Sequence, residues 1–189
     1  MLVALVIGAE IAFWVLLGLG LLVRYGLRRR RLGGALLLGT PLVDLALLTI
    51  TALDLERGGQ ATGAHGLAAI YLGVSVGFGH QIIGRMDAWA AHRWDGAPAP
   101  ARKPKHGRPH AAYERRQFAR HVLAWAVGSG LLMAAVRYVG DADRTGPLLH
   151  LATVWTVVLV IDAFVSLSYT FSPRPEPEGA PGRTPQETA

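Results

Sequence analysis

The sequence contains no cysteine, and this absence excludes several classes of protein. Disulfide scaffolds, thiolate metal sites, iron–sulfur clusters and cysteine nucleophiles all depend on that residue. The chain also lacks a P-loop, a GxGxxG turn and an HExxH pair, which mark many nucleotide-binding proteins and metalloproteases. We therefore expect no metal site and no catalytic residues, and the sequence favours a protein that is not an enzyme.

Charged residues are also scarce over long stretches of this 189-residue chain, of which 51% is hydrophobic. The apolar residues gather in five blocks, and each block has about the length that a helix needs to cross a bilayer. We predict an all-α bundle of five transmembrane helices, at residues 2–23, 35–53, 66–84, 121–139 and 148–171. A basic linker, 93–120, joins the third and fourth helices, and the composition of 172–189 predicts a disordered tail.

The basic residues predict how the bundle is oriented. Of 19 Lys and Arg residues, 14 lie in the connections that follow the first and third blocks, 2 lie in the tail and 3 lie elsewhere. Because Lys and Arg accumulate in cytoplasmic loops, we expect the N-terminus outside and the C-terminus inside a bacterial cytoplasmic membrane. The formal net charge of +6 then indicates contact with anionic lipid at the cytoplasmic face, and not with nucleic acid.

Glycines in the third block are arranged on one side of the predicted helix. Gly66, Gly73, Gly77 and Gly84 are separated by seven, four and seven residues, which places them on one helical face. Gly73 and Gly77 form a GxxxG pair, a spacing that lets two membrane helices approach closely. The sequence therefore predicts a helix-packing seam on the third helix, at the centre of the bundle.

Three segments, HGLAAIYLG, FGHQIIGRMD and KPKHGRPHAAYERR, together resemble a family of small bacterial integral membrane proteins without an assigned activity. The resemblance covers most of the region that holds the five predicted helices and does not extend to the tail. It implies a multi-pass protein located in a membrane. It implies no role for any individual residue.

Four ionisable residues lie inside the apolar blocks and are candidates for a proton or ion pathway: Glu10, Asp44, His80 and Asp162. At about 1.5 Å per residue, Asp44 and Asp162 both lie about 12–14 Å from the cytoplasmic ends of their helices. His80 lies about 6 Å and Glu10 about 20 Å from that side. The alternative interpretation is structural, because neutral carboxyl and imidazole groups also hydrogen-bond neighbouring membrane helices.

The histidines suggest a haem-binding hypothesis. His65 and His80 share a face of the third helix, His121 begins the fourth helix, and His150 begins the fifth. His80 with His121, and His65 with His150, would then lie at matching depths, as two stacked bis-histidine haems require. Histidine is also an ordinary residue at the ends of membrane helices, so the primary expectation is a protein without a cofactor.

The sequence thus leaves three functions open. The first is a non-enzymatic membrane component that assembles with itself or with a partner protein. The second is a small permease or proton-coupled carrier that uses Asp44, Asp162 and His80. The third is a bis-histidine haem protein.

Overall fold

The fold was obtained as a computed structural model, which describes residues 2–61 and 63–171 and, for residues 2–7, 10 and 64, the backbone alone. These residues form five long helices and contain no strand. The helices are α1 (Leu2–Leu21), α2 (Arg30–Glu56), α3 (Gly63–Asp95), α4 (Gly107–Val139) and α5 (Ala142–Phe171). The all-α prediction is therefore confirmed for the described residues, and the predicted tail, 172–189, lies outside them.

Four of the helices, α2 to α5, are long and apolar enough to cross a membrane. A shorter apolar helix, Ile11–Gly26, consists of the second half of α1 and the segment that follows it. It ends in a π-helical segment, Leu22–Gly26, before the chain turns into α2. Several long apolar helices are typical of a multi-pass membrane protein. A helix is suited to the bilayer because it satisfies its own backbone hydrogen bonds there.

The helices extend beyond the predicted spans into the connections. Helix α3 continues to Asp95 and α4 begins at Gly107, so only 96–106 of the basic linker is non-helical. Charged residues that the sequence pattern places in a loop thus continue the apolar helices at one end of the bundle. A membrane helix can extend this way, since its charged end lies in water or among headgroups.

The turn between α4 and α5 is short because both helix ends are capped. Gly140 adopts a left-handed conformation, with φ of +66°, and its N–H donates to the Val136 carbonyl. Asp141 Oδ1 then accepts from the backbone N–H groups of Asp143 and Arg144, at 3.0 and 3.3 Å. These caps start α5 at Ala142, six residues before the predicted span begins.

Helix α3 lies at the centre of the bundle, in contact with α2, α4 and α5. Helix α4 packs against α3 and α5, whereas α1 packs mainly against α2. The hydrophobic core includes Leu48 and Leu55 of α2, Leu72 of α3, Leu132 of α4 and Leu148 of α5. The antiparallel succession of helices means that α2 and α4 run in the same direction.

Candidate functional site

Helices α3 and α4 approach each other closely where glycines replace side chains. A Cβ atom at Gly73 would collide with the Ala124 carbonyl oxygen, and one at Gly77 would lie 2.9 Å from the Ala124 Cβ. On the facing helix, a Cβ at Gly128 would collide with the Trp155 ring. The two backbones are therefore in near contact, which only glycine permits at these positions.

The four glycines predicted as one seam have different environments. Gly66 faces α5, where an added Cβ would collide with Leu151. Gly84 has no atom within 4 Å of the position that a Cβ would occupy. Gly84 is thus not part of the packing surface inside the bundle. The spacing of the glycines shows that they share a face of α3. It does not show over which turns of α3 the neighbouring helix α4 stays in contact.

A chain of hydrogen bonds links α4 and α5 beside this crossing. His121 Nδ1 lies 2.8 Å from Asp162 Oδ2, and the Trp155 indole N–H donates to His121 Nε2 at 3.1 Å. Trp155 is buried, whereas the Asp162 side chain is 39% exposed. Asp162 is therefore partnered, and its partner is a histidine that the sequence interpretation assigned to haem.

The hydrogen-bond chemistry defines the protonation state of His121. An indole nitrogen can only donate, so His121 Nε2 must be the acceptor and carries no proton. The proton of the neutral ring is then on Nδ1, which donates to the Asp162 carboxylate. Protonation of Nε2 would remove the acceptor for Trp155. This arrangement crosslinks α4 and α5, and both ring nitrogens are used.

The second acidic residue in the bundle, Asp44, has a different environment. It is 9% exposed, and its Oδ2 atom has no hydrogen-bond partner among the described residues. Thr40 and Thr51 are buried on the same face of α2, as their spacing predicts. Since α5 packs chiefly against α4 and α3, the structure separates Asp44 from Asp162. The two carboxyl groups that the sequence places at one depth therefore lie in different parts of the bundle.

His80 does not line the interior either. Its side chain is exposed on the outer face of α3 and takes no part in the two hydrogen bonds that His121 makes with Asp162 and Trp155. The backbone of Glu10 lies in α1, and its side chain is not among those that the structure describes. Asp44, His80 and Asp162 are therefore not brought together into one pathway, because helix periodicity does not reveal which neighbour each residue faces.

The predicted haem ligands fit only in part. His121 does not fit as an axial ligand, since both of its ring nitrogens are engaged by Asp162 and Trp155. Its proposed partner, His80, is exposed. His65 is half-buried and His150 is exposed, and haem binding by this second pair stays a prediction. Within the described residues, no group of three or more His, Asp or Glu side chains could hold a metal ion.

The end of the bundle that holds the basic residues carries two ion pairs that sequence reasoning missed. The Arg24 guanidinium binds both carboxylate oxygens of Asp87 and also donates to the Arg30 carbonyl at 2.8 Å. Asp87 lies beyond the uncharged segment 66–84. The hydrogen bonds from the Arg24 guanidinium lower the pKa of the Asp87 carboxyl below its usual range. Arg28 pairs with Asp95 at 3.4 Å. These pairs join the ends of α1 and α3, which no sequence spacing could indicate.

These features define a helical multi-pass membrane protein whose core is organised around a glycine crossing. The chain is 39% identical over 179 residues to a protein of Bacillus subtilis (strain 168) described as uncharacterized membrane protein YmcC. The alignment covers 93% of this chain and 95% of the relative. The chain therefore belongs to the same bacterial membrane-protein family as YmcC. No family model matches it, and no solved structure matches it.

Proposed function

We propose that this protein is a non-enzymatic component of the bacterial cytoplasmic membrane that assembles with itself or with a partner membrane protein. The contact surface is the outer face of α3, formed by Val76, His80 and Gly84, which are four residues apart and exposed. The observation that carries the proposal is the exposed imidazole of His80. Polar side chains within membrane helices almost always face other protein or a cavity, because hydrocarbon offers no hydrogen-bond partner.

The depth of His80 supports this assignment. Trp89 and Trp94 are 55% and 49% exposed, and their rings contact each other edge to face, as befits aromatic residues at headgroup level. His80 lies nine residues before Trp89 and about 6 Å inside the end of the uncharged segment 66–84, so its imidazole is within the apolar part of α3. Gly84 lies one turn from His80 and leaves room for a second helix.

Replacing His80 or Gly84 by leucine is expected to weaken this assembly. His80→Leu removes the interhelical hydrogen bond, and Gly84→Leu keeps the second helix away. Since such contacts contribute about 1–2 kcal/mol, the dissociation constant should rise about five- to thirtyfold. The measurement is the protein mass of detergent-solubilised particles by light scattering, across a dilution series.

Gly130→Leu is the matched control, because Gly130 is exposed on α4 and also has no atom within 4 Å of the position that a Cβ would occupy. This variant should keep the mass of the wild type. If the wild type is a single 20.2 kDa chain at every concentration, with no second polypeptide, the assembly proposal fails.

We also propose that the basic end of the bundle faces the cytoplasm, with the N-terminus outside and the C-terminus inside. The distribution of Lys and Arg supports this orientation. Arg29 and Arg31 are exposed at this end, beside the paired Arg24 and Arg28, and their side chains are suited to contact with anionic headgroups.

Orientation is tested with a single cysteine at Ala99, which the cysteine-free native chain makes straightforward. Ala99 is exposed in the connection between α3 and α4. A membrane-impermeant maleimide should label it only after the membrane is opened. A cysteine at Gly58, in the turn between α2 and α3, should react in intact cells. The reverse labelling pattern would show that the bundle is inverted.

The carrier function remains a second candidate because of one observation, the unpartnered carboxyl oxygen of Asp44 among the residues that the structure describes. A buried acid without a donor is typical of groups that exchange protons or bind cations in membrane proteins. Asp162 and His80 do not support this function in the same way, since one is hydrogen-bonded to His121 and the other is exposed.

A further inference from the structure

Four buried side-chain polar atoms have no hydrogen-bond partner in the part of the chain that the structure describes: Tyr25 Oη and His110 Nε2, near the basic end of the bundle, and two oxygens closer to its middle. The two oxygens are Asp44 Oδ2 on α2 and Ser129 Oγ on α4. The residues are 9% and 8% exposed. Buried polar groups are ordinarily paired, because an unpaired group loses its hydration without replacement. Each of these two atoms therefore requires an explanation.

The two residues lie at similar heights in the bundle. At the end of the bundle opposite the basic residues, the Tyr138 hydroxyl donates to Glu56 Oε2 at 2.6 Å. This bond sets residue 138 of α4 beside residue 56 of α2. Because α2 and α4 run in the same direction, equal steps along both helices place Ser129 beside residue 47. Asp44 is three residues from that level, or about 4.5 Å along the axis.

The hydrophobic core contains a residue about one turn beyond each of the two. Leu48 and Leu132 belong to one cluster of buried side chains. Asp44 precedes Leu48 by four residues and Ser129 precedes Leu132 by three, so both lie about one turn from that cluster, on the same side. Both are on the buried faces of their helices. The two unpartnered oxygens thus belong to one layer of the interior.

The hydroxyl nearest in sequence does not satisfy Asp44. Pro41 has no N–H, so the Leu37 carbonyl lacks its usual helical donor, and Thr40 Oγ1 donates to it at 2.8 Å. This bond uses the only proton of Thr40. At the 3.4 Å contact between Thr40 Oγ1 and the Tyr71 hydroxyl, Tyr71 must then be the donor. Thr40 therefore presents oxygen lone pairs, and no proton, to its surroundings.

The layer around Asp44 thus offers oxygen ligands and, when its carboxyl group is ionised, one negative charge. Within residues 2–61 and 63–171, no Lys, Arg or His forms an ion pair with Asp44. Oxygen atoms are the ligands that hard cations prefer, and a single carboxylate balances a single positive charge. We propose that Asp44 and Ser129 bind one sodium ion between α2 and α4. This inference is independent of the outer face of α3.

The test is equilibrium binding of radioactive sodium to the purified full-length protein in detergent, with choline chloride keeping the ionic strength constant. Wild type should bind one sodium ion per chain, saturably. Asp44→Asn should lose this binding, because the amide lacks the charge that balances the ion. Ser129→Ala removes one ligand without breaking any hydrogen bond seen among the described residues, and should weaken binding about tenfold.

The control variant is Asp162→Asn, which removes a carboxyl group that is hydrogen-bonded to His121. This variant should bind sodium as the wild type does. Infrared spectroscopy provides the second readout. In saturating sodium at neutral pH, Asp44 should show carboxylate bands and no carbonyl band of a protonated acid. Absence of sodium binding to folded wild type, equal binding by Asp44→Asn, or a protonated-acid band that disappears in Asp44→Asn would each overturn the proposal.

Discussion

Gly128→Leu is expected to prevent the bundle from forming a stable native state. A Cβ at residue 128 would lie 2.8 Å from the Ala69 carbonyl oxygen and would also collide with Trp155. One obstacle is backbone and the other is a buried ring that is hydrogen-bonded to His121, so neither can yield without separating helices. We expect a loss of more than about 3 kcal/mol, beyond the usual cost of overpacking. Gly73→Leu, on the facing helix, should have the same effect.

Thermal unfolding in detergent, followed by tryptophan fluorescence, measures this effect. Gly130→Leu is the matched control, because it adds the same side chain to the same helix two residues away, where nothing lies within 4 Å. The control should unfold at the temperature of the wild type. If Gly128→Leu and Gly130→Leu were equally stable, the close contact between α3 and α4 would not exist.

His121→Ala is expected to be the second most damaging substitution. It leaves the Asp162 carboxylate without its donor and the Trp155 indole without its acceptor, within apolar helices that offer few alternative partners. Loss of both interactions should destabilise the protein by about 2–4 kcal/mol. Asp162→Asn should cost less than about 1 kcal/mol, because the amide oxygen still accepts from His121 Nδ1.

Unfolding in detergent again gives the comparison, with His150→Ala as the control for loss of an exposed histidine near a helix end. The order of stability should be wild type and His150→Ala first, Asp162→Asn slightly below, and His121→Ala far below. A small effect of His121→Ala alongside a large effect of Asp162→Asn would refute the assigned tautomer, in which the carboxylate only accepts.

The number and type of helices were predictable because they depend on local properties. Apolar block length predicts spanning helices, and the polar face of α2 that carries Thr40, Asp44 and Thr51 is indeed buried. Helix ends were less predictable. The Asp141 cap extends α5 toward the N-terminus, although Gly146 and Pro147 lie within the added turns and resemble a loop in sequence.

The arrangement between helices was the part that sequence could not provide. Spacing places Gly73 and Gly84 on one face of α3, but only Gly73 meets α4, since helices that cross at an angle are close over a few turns. The pairing of Asp162 with His121 depends on the register of α4 against α5, which a single sequence does not encode locally. Trp155 and Asp162 are seven residues apart and therefore share a face of α5. This was the one feature of the sequence that could have linked them to a common partner.

The proposal of assembly through α3 is tested most directly in the native membrane, where detergent cannot dissociate the contact. A Gly84→Cys variant should be crosslinked by a short, membrane-permeant bismaleimide into a product of twice the monomer mass if the partner is a second copy. A partner of another kind that contains cysteine would give a product of a different, single mass. The account predicts one such product from Gly84→Cys and none from Gly130→Cys. Monomer alone from Gly84→Cys, with complete modification of its thiol, would contradict assembly of α3 with a second copy.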